Sequence, residues 1–267
     1  MNTMLQPSRV LFAAALIALG ITGLVNGNFA LAWQNVPAHV PGHTVIAYVC
    51  AAIEVAFGIG LLFQRALTMT CRVLFPYMLL WLVLLEVPAV VHFPRDVGSW
   101  GTFGEIAIIT AGVWCLFAAH AGTWESRHLK FAVGSPGIQA ARWLLILALP
   151  MIGAEVIVDA VQAGDKIMQP WLQVLPWPMA WACLTGVGSI ATCLALLFGV
   201  WPRLAATIEA AMLGLIAVAY WAPDLYTGET ATTAFIISFV EAAGVWLVAD
   251  SYRGVPWLVT RRPVWTA

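Results

Sequence analysis

Residues 90–111 read VVHFPRDVGSWGTFGEIAIITA. An apolar run ends in His92, a short polar link follows, and apolar sequence resumes around Glu105. A chain that leaves and re-enters apolar sequence so quickly predicts two membrane helices joined by a tight turn. Pro94, Gly98 and Gly101 are the turn residues, and Trp100 and Phe103 belong at the headgroup level. His92 and Glu105 then flank the turn at similar depth. An ionisable side chain inside a span costs roughly 3 kcal/mol or more unless it is paired or hydrated. The pair therefore marks a candidate site: a His beside a carboxylate can relay protons, bond a quinone, or form half of a metal site.

Composition extends this to the whole chain. Of 267 residues, 62% are hydrophobic and only 9% charged, and the mean hydropathy is +0.89. These values place the chain among all-α integral membrane proteins. Windows of ~20 apolar residues, the length that crosses a bilayer, fall near 10–26, 45–63, 71–92, 102–120, 140–162, 179–199, 204–222 and 232–250. With eight spans, Arg9, Arg65, Arg72, Arg127, Lys130, Arg142, Arg203, Arg253, Arg261 and Arg262 lie on one side, and only Arg95 and Lys166 on the other. This bias predicts a multi-pass protein of a bacterial cytoplasmic membrane with both termini in the cytoplasm. No basic patch suggests nucleic acid. The cysteines, Cys50, Cys71, Cys115, Cys183 and Cys193, form no Cys-x-x-Cys or metal-ligand spacing, so they read as small packing residues and no metal centre is expected. The first span has the outline of a cleavable signal, with Ala30-Leu31-Ala32 after it. An equivalent span near 140–162, which cannot be a signal, predicts that the first is retained.

That equivalence is part of a repeat. Pro41 and Pro176 are 135 residues apart, as are Glu54 and Ser189, Leu62 and Leu197, and Phe63 and Phe198; Pro94 and Pro223 are 129 apart, and Glu105 and Glu241 are 136 apart. The chain thus reads as two parallel four-helix bundles, because four spans per half keep the same orientation. The units are 1–125 and 139–267, joined by a polar cytoplasmic connector at 126–138 that carries His128, with His120 just before it. In this alignment Ser189 replaces Glu54 and Trp221 falls about where His92 stood, so the second unit looks degenerate.

Four further polar positions stand out. Glu54 sits mid-span, followed by Gly58 and Gly60, and the bland reading of it is a carboxyl hydrogen-bonded to a neighbouring helix. Glu86 precedes Pro88, whose missing donor should bend the third span. Glu155 and Asp159 lie one helical turn apart and on one face, which suggests a proton or cation site, or simply a helix end reaching water. With Glu241 they form a secondary polar cluster. Trp33, His39 and His43 suggest an interfacial segment after the first span. Arg95 and Asp96 form a potential exposed pair, and Arg203 and Glu209 read as cytoplasmic-interface residues.

Ile53-Glu54-Val55 with Gly58 and Gly60, then His92-Phe93-Pro94, then Gly101-Thr102-Phe103-Gly104-Glu105 resemble, in order and spacing, the DoxX-like family of small four-helix membrane proteins. The resemblance covers roughly residues 10–120. The chain departs from that family in holding two units, and in having Asn26-Gly27-Asn28 where a basic residue often follows the first helix. The resemblance to DoxX-like and DoxD-like proteins implies membrane redox work such as quinone reduction. The leading expectation is therefore a membrane subunit of a quinone-linked redox system. His92, Glu105 and Trp100 would contact quinone or relay protons near the outer leaflet, with Glu54 and Glu86 deeper. No haem-ligand pattern, flavin-binding motif or Cys pair is visible, so electrons would come from a soluble or membrane partner protein. The alternatives are a non-enzymatic assembly factor, and a carrier of a small solute or ion along Glu54, Glu86, Glu155 and Asp159.

Overall fold

The computed structural model of the chain describes residues 6–30, 34, 36–37, 39–121, 130–163, 177–225 and 228–260. Trp33, His128, Arg127, Lys166, Arg261, Arg262 and most of the segment before the sixth span lie outside them. The described residues form helices joined by turns, with no strand among them beyond an isolated bridge between Val200 and Thr260. Their long helices are α1 (Pro7–Asn26), α2 (His43–Leu62), α3 (Gln64–His92), α4 (Val97–His120), α5 (Gly134–Ala163), α6 (Pro178–Leu197), α7 (Pro202–Asp224) and α8 (Glu229–Asp250). All eight are long and apolar enough to cross a membrane. In hydrocarbon every backbone N–H and C=O must be satisfied within the segment, so an apolar chain of this composition has helices as its solution. The observed helices begin earlier than the apolar windows predict, because their first turns carry polar residues.

Several ends have local causes. Pro7 and Pro202 open α1 and α7, where their missing N–H is no loss. Gly27 closes α1 in the left-handed conformation (φ 68°), donating its N–H to the Gly23 carbonyl. Asp96 caps α4, accepting from the Ser99 amide at 2.8 Å and the Ser99 hydroxyl at 2.6 Å. Asp96 is therefore committed to the cap, and no ion pair with Arg95 forms among the described residues.

Before Pro88, where a bend was expected, the third span has a π-helical turn over Leu82–Glu86, in which Val87 N–H reaches back five residues to the Leu82 carbonyl. A second π turn spans Ala217–Trp221, followed two residues later by Pro223 as the first is by Pro88. The two turns lie 135 residues apart, which revises the alignment read from sequence. Pro223 corresponds to Pro88 and not to Pro94, and Trp221 corresponds to Glu86 and not to His92.

At the centre, α4 and α8 have 72% and 67% of their apolar windows buried, against 28–44% in the other helices. They cross where Gly112 meets Gly244: a Cβ on Gly112 would lie 2.6 Å from the Gly244 Cα. Small residues let membrane helices approach to backbone contact, where dispersion replaces the missing hydrophobic drive. The same device joins α1 to α2 through Gly20 and Gly58, and α5 to α6 through Gly153 and Gly186. Packing then runs across the two halves: α1 lies against α2 and α8, while α5 lies against α4 and α6. Ser8 at the start of α1 donates to the Asp250 carboxylate at the end of α8.

The α4–α8 crossing can be tested by overpacking. Gly112→Leu or Gly244→Leu is expected to destabilise the detergent-solubilised protein by about 1–3 kcal/mol or more, read as a lowered Tm. Gly228→Ala, where a Cβ meets nothing within 4 Å, is expected to stay within about 0.5 kcal/mol of the parent.

Candidate functional site

Four glutamates converge between the central and flanking helices. Glu86 comes from the π turn of α3, Glu105 from α4, Glu155 from α5 and Glu241 from α8. Glu86 and Glu241 are buried, and Glu105 and Glu155 are partly buried. Glu105 lies in the electrostatic field of Glu241 and Glu86, Glu155 in that of Glu105 and Asp159, and Glu241 in that of Glu155. At 1.5 Å per residue, each is roughly 9–18 Å along its helix from the end that carries few basic residues. None of the four forms a hydrogen bond or an ion pair among the described residues. Interacting carboxyls can exchange protons as a unit and not residue by residue.

Local sequence explains the approach of α5. Gly98 and Gly101, expected in the turn, lie inside the first turns of α4, and a Cβ on Gly101 would collide with the Glu155 carboxyl. Gly104 takes the next step, facing Ile152 and the Ala148 carbonyl. The Gly-x-x-Gly-Glu run is thus a groove on α4 in which the acidic face of α5 sits. Asp159, one turn beyond Glu155, is exposed.

His92 is placed elsewhere. It is exposed at the end of α3, with its Nδ1 2.8 Å from the Pro88 carbonyl oxygen. The described residues show no contact between it and Glu105, so the pair expected from their positions beside the turn is not brought together. The cause is geometric: Glu105 lies two turns into α4 and faces inward, whereas His92 ends its helix facing outward. Trp100 stays at the turn as expected, donating its indole N–H to the Pro94 carbonyl at 3.0 Å and meeting the Phe103 ring edge-on.

Glu54 belongs to a separate network. Gln34 donates from Nε2 to Glu54 Oε1 at 2.7 Å, and Tyr77 on α3 donates its hydroxyl to the same oxygen at 3.3 Å. Gln34 itself is fixed by the Ala30 amide, which donates to its Oε1 at 3.4 Å. Glu54 is 2% exposed and Gln34 also 2%. This is the hydrogen-bonded carboxyl of the bland reading. Gln34 and Tyr77 were not foreseen; a polar amide inside the aromatic segment after the first span, and a Tyr amid the Leu-rich third span, were the available signals.

The second half holds a counterpart that the sequence alignment conceals. Ser189, at the Glu54 position, donates to Glu209 Oε1 at 2.7 Å, and Thr192 donates to Glu209 Oε2 at 3.0 Å. Glu209 is 1% exposed and is no interface residue. Its buried carboxyl has moved from the second helix of the unit to the third, with small hydroxyls taking its place on α6. The second half is therefore not stripped of buried acids. His120, just before the connector, is likewise partly buried and bonded through Nδ1 to the Leu116 carbonyl at 3.0 Å. His39 is exposed, and His43 meets the Phe29 ring edge-on at 4.8 Å. The five cysteines are free thiols, and the described residues contain no group of His, Cys, Asp and Glu able to hold a metal ion.

No protein-family profile matches the chain, and no similar curated protein and no similar solved structure was found.

Two outcomes are expected. Removing the partners of Glu54 with Gln34→Ala or Tyr77→Phe should cost about 1–3 kcal/mol each, seen as a lowered Tm, whereas Glu54→Gln, which can still accept from both, should cost less. The Ser99 hydroxyl and amide hold the Asp96 carboxyl below its usual value of 3.8. Because the folded value is the lower one, this stabilisation is complete above the unfolded value and is lost as pH falls through the folded one. Asp96→Asn keeps the cap without titrating, so the difference in Tm between parent and variant should change only in that acid window.

Proposed function

We propose that the chain is a membrane subunit of a quinone-linked redox system that takes up and passes protons in the outer half of a bacterial cytoplasmic membrane. The observation that carries this is the convergence of Glu86, Glu105, Glu155 and Glu241 from four helices, with no cationic side chain paired to them among the described residues. Isolated intramembrane carboxyls are most often functional, and a proton-sharing cluster suits a reaction in which a quinone gains protons with its electrons. The resemblance of residues 53–60 and 92–105 to the DoxX-like family points the same way.

In this scheme the cluster is the internal proton store. His92, exposed at the outer end with Nδ1 held by the Pro88 carbonyl, leaves Nε2 to exchange protons or bond a quinone oxygen at the headgroup level. Trp100 supplies the flat apolar neighbour there. Electrons enter from a partner protein. The basic residues at the opposite end put both termini in the cytoplasm under the positive-inside rule. Glu54, satisfied by Gln34 and Tyr77, serves the assembly of the first three helices.

Membranes carrying Glu105→Gln, Glu241→Gln or His92→Ala are expected to show quinone reduction lowered by about tenfold or more, the scale of a lost proton-transfer group, at unchanged protein abundance. Glu54→Gln should retain the parent rate. Parent-like rates in all three site variants would overturn the proposal, and loss of the protein itself in each would favour a purely structural role for the cluster.

A further inference from the structure

The opposite, basic end of the first half contains a different anomaly. Arg9, in the first turn of α1, is 4% exposed. It forms no hydrogen bond or ion pair among the described residues, and its Nε is buried without a partner. The carboxylate on that side of α1, Asp250, is already engaged by Ser8 and by a two-pronged pair with Arg253 at 2.9 Å for both contacts. A guanidinium cannot shed its charge, so burial without an anion is among the least favourable placements a side chain can have.

Its surroundings add positive potential. Arg9 acts electrostatically on Cys71 of α3 and His120 of α4. Next to Cys71, Arg72 grips the end of α4, donating to the Ala121 carbonyl at 2.6 and 3.1 Å. The unbonded amides of the first α1 turn present the positive end of that helix. The equivalent position in the second half, Arg142, by contrast has its needs met: it donates to Ser251 at 2.6 and 3.0 Å and lies 3.8 Å over the Tyr252 ring. Of two arginines that correspond 133 residues apart, Arg142 is held by protein partners, and Arg9 has none among the described residues.

We infer that Arg9 anchors an anion site at the basic end, between α1, α3 and α4, which takes a phosphate-type oxyanion. Two planar N–H donors match two phosphate oxygens, a geometry that a single ammonium cannot supply. The group belongs either to a phosphodiester lipid of the adjoining leaflet, for which basic recesses between membrane helices are suited, or to free phosphate from solution. The site lies on the other face from the glutamate cluster and does not depend on the proposed redox role.

The test uses the full chain, purified in detergent and stripped of lipid. One arm titrates sodium phosphate against sodium chloride of equal ionic strength. The other adds short-chain phosphatidylglycerol against phosphatidylcholine. Both are read by thermal unfolding and by native mass spectrometry. Stabilisation and one-to-one binding by phosphate identify a soluble oxyanion, and binding by phosphatidylglycerol alone identifies the lipid; either supports the site. Arg9→Met is expected to weaken that binding by about tenfold or more. Should that variant not fold, Arg9→Lys replaces it: it keeps the charge but loses the two-pronged contact, and is expected to bind the probe about tenfold more weakly. Binding of neither probe by the parent, or undiminished binding by Arg9→Met or Arg9→Lys, would each overturn the inference.

Discussion

The contact on which the rest depends is the bare backbone crossing of α4 and α8 at Gly112 and Gly244. Within a bilayer there is no hydrophobic force to draw helices together, so what remains is close dispersion contact and the few polar bonds available. Two glycines facing each other bring the axes close enough for both. Once α4 and α8 are in place, Glu105 and Glu241 are held on the same side of the crossing, toward the end with few basic residues. The Gly101–Gly104 groove then brings α5 and its Glu155 to them, and the π turn of α3 adds Glu86. The site is the outcome of glycine placement as much as of glutamate placement.

The polar residues divide into three kinds by how they are satisfied. Glu54 and Glu209 are closed systems, each held by two side-chain donors, and they stitch helices together. The arginines near helix ends, Arg72, Arg142 and Arg203, bond backbone carbonyls that the helices leave open. The glutamate cluster and Arg9 are the open systems, acids at one end and a cation at the other, neither paired with an opposite charge among the described residues. In a low-dielectric setting it is the unbalanced groups that call for protons or ions, which is why function is sought there.

Much of the architecture was legible in the sequence, because twenty apolar residues in a row admit few structures in a membrane. The eight spans, and the existence of a turn between the third and fourth, follow from composition and from the chemistry of proline and glycine. What could not be read was which residues face each other. His92 and Glu105 are close in sequence yet point to different surroundings, since the direction of a side chain depends on the rotation of its helix about its axis, and the π turn resets that rotation. Glu209 was misread because a charged residue near the start of a span reads as an interface residue, while only the packing brings the Ser189 and Thr192 hydroxyls to it. Gly101 was assigned to a turn, for glycine signals a turn and a close contact with the same letter.

The packing of α1 on α8, and of α5 on α4, has a consequence for biosynthesis. Ser8 and Asp250 are 242 residues apart, so α1 enters the bilayer well before α8 is there to cover the face it presents to it. Until then that face meets lipid or a chaperone, and the Gly20–Gly58 contact with α2 is what keeps α1 in register. A chain interrupted after its fourth helix would leave α4 without α5 and α1 without α8. Because α1 and α8 belong to one chain, that closure is intramolecular and does not depend on concentration.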